Sequence, residues 1–127
     1  MNYPEKYYYT EEHEWADYDE ADSIVTIGIT EFAQSELGDI VFLELPDTGE
    51  EVDAGDAIGT IEAVKTVADL YSPVSGIVVE VNTALEDSPE LINEDPFNEG
   101  WILKVQITDS DELTELLSLE DYKGLVD

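Results

Sequence analysis

The sequence has no cysteine. That excludes disulfides, thiolate metal sites, iron–sulfur clusters and cysteine nucleophiles together. It also has no arginine, and only four lysines. No basic patch can therefore form for nucleic-acid phosphates or anionic lipids. His13 is the one histidine. No nucleophile–base pair and no phosphate-binding loop can be made out, so no enzyme constellation is visible. Residues 1–10 lack the apolar stretch of a secretory leader. No apolar run approaches the length that crosses a bilayer. Nothing in the chain points out of the cytoplasm, which is its expected location.

What the chain has in excess is acid. Thirty-three Asp and Glu against four lysines give 4 − 33 = −29. Hydrophobic residues still make up 43% of the 127 positions. That supports one real core and a single domain over 1–127. The acidity has two readings. It is either the function, as in a nucleic-acid mimic or a decoy for basic proteins, or an adaptation to a salt-rich cytoplasm. Screening lengths fall from about 10 Å at 0.1 M salt to roughly 3 Å at 1 M, where such a chain tolerates its own repulsion. The acids are dispersed along the whole sequence and not gathered in a tail. That pattern favours salt adaptation and a halophilic origin.

Short strand-like runs dominate. They are 24–29, 40–45, 57–62, 67–71, 76–81 and 101–107, each rich in branched or aromatic residues and bounded by Gly, Pro, Asp or Asn. Many short strands with frequent turns predict a barrel or sandwich. Three helices are expected. Thr30 caps the first, over 31–37, and Gly38 stops it. Ser88-Pro89 reads as the start of a second. The third runs from Asp111 to about Tyr122, with Leu113, Leu116 and Leu117 on one face and Asp109 or Ser110 as cap. Tyr7, Tyr8 and Tyr9 are expected to cover a core edge, and Phe97 and Trp101 to anchor in or near the core.

Lys65 falls between the runs 57–62 and 67–71, which puts it at a hairpin tip. An amine there is accessible to another enzyme. Acylation removes its charge. A long acyl group would then be a tether, holding its cargo at high local concentration wherever it reaches. A carrier of that kind needs no catalytic residues of its own. Lys6 and Lys123 lie near the termini and Lys104 within a strand-like run. On spacing alone, a solvated Lys65 paired with Glu62 or Asp69 is an equal reading, since exposed pairs cost and gain little.

An ordered series of motifs goes further. It runs through His13-Glu14-Trp15, Ile27-Gly28-Ile29-Thr30, Ala33-Gln34 and Leu37-Gly38-Asp39-Ile40-Val41-Phe42 to Leu45-Pro46 and Gly49. Glu62-Ala63-Val64-Lys65, Asp69, 71–76, 80–82, 89–93, Pro96-Phe97 and Gly100-Trp101 continue it. Along nearly its whole length the chain resembles the glycine cleavage H proteins. Glu62-Ala63-Val64-Lys65 looks like that family's lipoylation motif, with Ala63 where serine is frequent. Biotin carriers usually place methionine on both sides of the lysine. Lipoyl domains of 2-oxoacid dehydrogenases usually have aspartate before it and alanine after it.

The resemblance implies a mainly β, lipoyl/biotinyl-carrier-like barrel-sandwich hybrid with short flanking helices and a C-terminal helix. It implies lipoate in amide linkage to Lys65. It also implies a set of partners. These are a pyridoxal-phosphate glycine decarboxylase, a tetrahydrofolate-dependent aminomethyltransferase, an FAD-dependent dihydrolipoyl dehydrogenase and a lipoate-attaching enzyme. The chain itself would be a monomeric carrier and not an enzyme. In this family a cleft shelters the cationic aminomethyl group, for which carboxylates are natural partners. Motif position nominates Glu14 and Asp69. Glu12 is a weaker candidate for the same cleft and reads more readily as an ordinary surface acid. His13 beside Trp15 reads as structural. Alternatives are an H-like carrier in lipoate relay and an acidic binder of polycations.

Overall fold

Glycine and proline cut the apolar runs of this chain into pieces too short for one continuous layer, and the strands gather into two sheets. The computed structural model describes residues 3–126. The strands are β1 Tyr8–Tyr9, β2 Glu14–Asp19, β3 Ile24–Ile29, β4 Ile40–Glu44, β5 Glu51–Val52, β6 Ala57–Ala63, β7 Val67–Tyr71, β8 Gly76–Val81 and β9 Leu103–Ile107. The helices are α1 Glu31–Leu37, α2 Ala84–Asp87, α3 Leu91–Glu94 and α4 Leu119–Val126, with a 3-10 turn at Ser110–Glu115. One sheet runs β1-β2-β3-β9-β8-β5 and the other β4-β6-β7, all neighbours antiparallel and neither sheet closed. This is the mainly β carrier-like architecture expected. No helix among the described residues is long and apolar enough to cross a membrane.

The core lies between the sheets. Val25, Ile27, Val78, Leu103 and Val105 enter from the six-stranded sheet, and Ile40, Ile61 and Leu70 from the three-stranded one. Truncating a fully buried member such as Ile27 to alanine should cost about 2–5 kcal/mol. A second, aromatic cluster joins Tyr9, Trp15, Leu119 and Tyr122, with Tyr7, Phe97 and Trp101 packed around it. Trp15 sits opposite Gly28 in the β2–β3 pairing. A Cβ on Gly28 would stand 2.5 Å from the Trp15 ring, so glycine is what admits the indole. The indole Nε1–H donates to the Pro96 carbonyl at 2.9 Å.

The structure departs from two helix expectations. The stretch after Ser110 is not one helix. Asp109 caps the 3-10 turn by accepting from the Asp111 N–H. The chain then extends, and Leu117 exchanges two backbone hydrogen bonds with Tyr9, at 2.7 and 2.8 Å, before α4 begins. The cause is that the leucines serve two cores. Leu113 and Leu116 pack on the main core, but Leu117 and Leu119 pack on the aromatic cluster. A single straight helix aims one stripe at one core. Ser88, for its part, does not cap a helix with its side chain. Its N–H closes α2 on Ala84, its carbonyl accepts from Leu91, and α3 begins without a side-chain cap.

Candidate functional site

The β6–β7 pairing ends at Glu62 opposite Val67. The Ala63 N–H donates to the Thr66 carbonyl at 2.8 Å and closes the hairpin. Val64, Lys65 and Thr66 at its tip are all exposed. The tip leans on the α1–β4 connection, where the Asp39 carbonyl accepts from the Val64 N–H at 3.0 Å. Asn93 of α3 holds that connection. Its Oδ1 accepts from the Ile40 N–H at 2.9 Å, and its Nδ2 donates to the Gly38 carbonyl at 2.8 Å and to Gln34 Oε1 at 2.9 Å. Gly38 has φ +82°, and a Cβ there would sit 2.9 Å from Lys65 Cε. The lysine stem therefore crosses a position that glycine leaves open. Among the described residues the one ion pair is Lys104–Glu80, at 3.7 Å. Lys65 pairs with neither Glu62 nor Asp69.

At the far end of β7 lies a cavity of about 250 Å³ whose lining includes Thr10, Glu11, Glu12, Glu14, Tyr71 and Glu115. It is one strand length from the tip, roughly 13 Å at the usual rise per residue. Glu14 is 2% exposed. Its Oε2 accepts from the Tyr71 N–H at 2.8 Å and its Oε1 from the Thr10 hydroxyl at 3.3 Å. Burial raises the carboxyl to about 8, and the charge of Glu12 adds to this. The two hydrogen bonds pull the other way and are outweighed. Asp69 is not among the residues that line this cavity. It is exposed and borders a shallow depression with Thr60 and Glu44. Tyr71 connects the two acids, since its phenol hydroxyl donates to Asp69 Oδ2 at 3.5 Å.

Lys65 and the Glu14 carboxyl thus lie near opposite ends of β7. Comparison with known proteins identifies the family. The family model described as Glycine cleavage H-protein matches residues 7–127. The chain belongs to the glycine cleavage H-protein family. It is the carrier component of the glycine cleavage system and not itself an enzyme. Proteins of this family carry lipoate. The chain is 54% identical over 127 residues to the glycine cleavage system H protein of Listeria monocytogenes serotype 4b, covering 100% of both. It is 50% identical to that of Staphylococcus epidermidis over 99% of this chain and 98% of the relative. It is also similar to the crystal structure of a glycine cleavage system H protein from Mycobacterium marinum. The TM-score is 0.88 at 44% identity, over 96% of this chain and 97% of that one.

Glu14 and Glu12 share the cavity, whereas Asp69 borders a different depression and its carboxylate accepts from the Tyr71 hydroxyl. Nothing in their residue types marks Thr10 and Tyr71 as partners of Glu14. Tyr71 acts through its backbone, which no residue type advertises. Tyr122, 108 positions after Glu14, is marked in the sequence only as a lone tyrosine in an acidic C-terminal stretch.

Proposed function

We propose that Lys65 carries lipoate in amide linkage. The chain then takes an aminomethyl group from a pyridoxal-phosphate glycine decarboxylase and delivers it to a tetrahydrofolate-dependent aminomethyltransferase. A lipoate-attaching enzyme modifies the lysine, and an FAD-dependent dihydrolipoyl dehydrogenase accepts the electrons. The setting is a salt-rich cytoplasm, a reading supported by the dispersed acidity, and the working form is a monomer. One observation carries the proposal: Lys65 is an exposed amine at a hairpin tip, in no ion pair among the described residues, within Glu62-Ala63-Val64-Lys65.

The surroundings fit the group. When attached, lipoate supplies a disulfide that takes up the fragment and two electrons. The chain has no thiol that could attack that disulfide. Glu14 and Asp69 are the residues proposed to hold the cationic amine of the fragment. At neutral pH burial keeps a proton on Glu14. A cation beside it favours loss of that proton and pairing with the carboxylate. Glu12 lines the same cavity but remains an exposed surface acid.

The outer face of the hairpin suits a partner that acts on the lysine. Phe42, Glu62 and Val67 stand side by side across β4, β6 and β7. Phe42 is 53% exposed, Val67 59% and Val64 74%. An enzyme that acylates the lysine must come within one side-chain length of the tip, so it covers these apolar groups.

The test is coexpression with a lipoate ligase, then intact mass and peptide mapping. One lipoyl increment is expected, on the peptide with Lys65, and none in Lys65→Arg. A reconstituted glycine-oxidising system that runs undiminished on Lys65→Arg overturns the proposal.

A further inference from the structure

The loop that delivers Glu14 to its cavity contains one of the two non-glycine residues with left-handed backbone among the described residues. Thr10 and Glu14 close a tight hairpin. The Thr10 N–H donates to the Glu14 carbonyl at 3.0 Å, the His13 N–H to the Thr10 carbonyl at 3.1 Å, and the Glu14 N–H to Thr10 Oγ1 at 3.1 Å. His13 closes the turn with φ +68°. This is the position of a three-residue hairpin loop where glycine is preferred. A side chain there is strained and persists only when its surroundings over-determine it. Ser23, the other such residue, sits in a turn and is not among the residues that line the cavity.

The surroundings of His13 do over-determine it. Its ring lies 4.7 Å from the Phe32 ring. Its Nδ1 is 2.8 Å from the hydroxyl of Tyr122, which is fully buried on α4. The same hydroxyl is 2.8 Å from Thr30 Oγ1, which in turn accepts from the Ala33 N–H. Burial lowers the His13 pKa, against the pull of Glu12 and Glu36. The imidazole is therefore neutral at pH 7, and the bonds run in one direction along His13, Tyr122 and Thr30, with the Tyr122 hydroxyl donating to one neighbour and accepting from the other. Every group in the chain of bonds is then satisfied. The His13 carbonyl accepts from the Thr30 N–H at 3.0 Å, which fixes the residue from its backbone side too.

We propose that His13 and Tyr122 are positioning residues for Glu14: the C-terminal helix, acting through this hydrogen bond, holds the strained turn that keeps the Glu14 carboxyl inside the cavity. His13 touches nothing in the cavity, and its effect passes through the next peptide bond. The consequence for the aminomethyl group rests on the reading of Glu14 given above; the placement of Glu14 does not.

The test uses the full chain without lipoate, and so can fail independently of that reading. Carboxyl 13C NMR follows the titration of Glu14 against the other acids around the cavity, Glu11, Glu12 and Glu115, with Tyr71 opposite. His13→Gly removes the ring and relieves the turn. Tyr122→Phe removes only the hydroxyl. Both should lower the Glu14 midpoint by about one pH unit or more, because a carboxyl free to swing into water loses its burial penalty. His13→Asn should keep the midpoint near wild type, since asparagine tolerates the left-handed region and offers an oxygen where Nδ1 lies. In lipoylated, loaded protein the first two variants should shorten the fragment's lifetime several-fold. A Glu14 midpoint unmoved in both His13→Gly and Tyr122→Phe, with only melting temperature changed, overturns the proposal. So does a midpoint in His13→Asn that falls as far as in His13→Gly.

Discussion

Glu14 couples the stability of the molecule to pH. Its carboxyl titrates near 8 in the fold, against about 4.5 ordinarily. Between those values the native state holds a proton that the unfolded chain has released. Stability from this group is therefore complete below about pH 4.5, declines as pH rises, and is gone above about 8. Glu14→Gln preserves the shape and cannot titrate. The unfolding free energy of wild type, relative to Glu14→Gln, should fall between pH 5 and 8 by up to about 1.4 kcal/mol per pH unit, measured by urea titration at fixed salt. A difference independent of pH contradicts the burial argument. The same residue makes a functional prediction. Glu14→Gln and Asp69→Asn, each lipoylated and loaded, should lose the fragment faster than wild type. Unchanged lifetimes in both count against the cleft. None of the titration was legible beforehand. Glu14 is one acid among 33, and nothing in its letter says that β2 buries it. Its place in His13-Glu14-Trp15 was the one clue.

Among the elements, strands were legible where β-branched and aromatic residues recur. Runs 24–29, 67–71 and 76–81 match β3, β7 and β8, and 40–45 and 57–62 differ from β4 and β6 by one residue. β2 was missed because Asp17 and Asp19 interrupt its apolar pattern, and it is held by pairing with β3 along its whole length. The two-residue strands β1 and β5 carry no periodicity to read. The break at Leu116–Leu117 was hidden because helical spacing cannot show that neighbouring leucines face different cores. The β4–β6–β7 face makes its own prediction. Phe42→Ser and Val67→Ser remove exposed apolar groups, so the fold should survive with a change in stability within about 0.5 kcal/mol. Acylation of Lys65 by a lipoate ligase should lose several-fold in kcat/KM, chiefly through KM. Equal kcat/KM in both variants would free this face from any part in docking.

For the molecule as a whole, charge sets the conditions of folding. Thirty-three acids are opposed by four lysines, which leaves a net −29, and one ion pair is formed among the described residues. Self-repulsion is strongest when the screening length is long. Circular dichroism should show the fold weakening as salt is withdrawn from molar to millimolar. A protein equally stable at both extremes would remove the case for salt adaptation. Composition made this expectation readable from the first count of residues, whereas the way the two sheets meet was not.

Glu14 also settles a problem that has nothing to do with cargo. β7 is the outermost strand of its sheet, and an outermost strand presents open backbone donors on which a foreign strand can lengthen the sheet. The donor at Tyr71 is already taken by a side chain from the opposite sheet. A molecule that must visit several enzymes and leave each one is thereby protected, at that point, from sticking to its own copies.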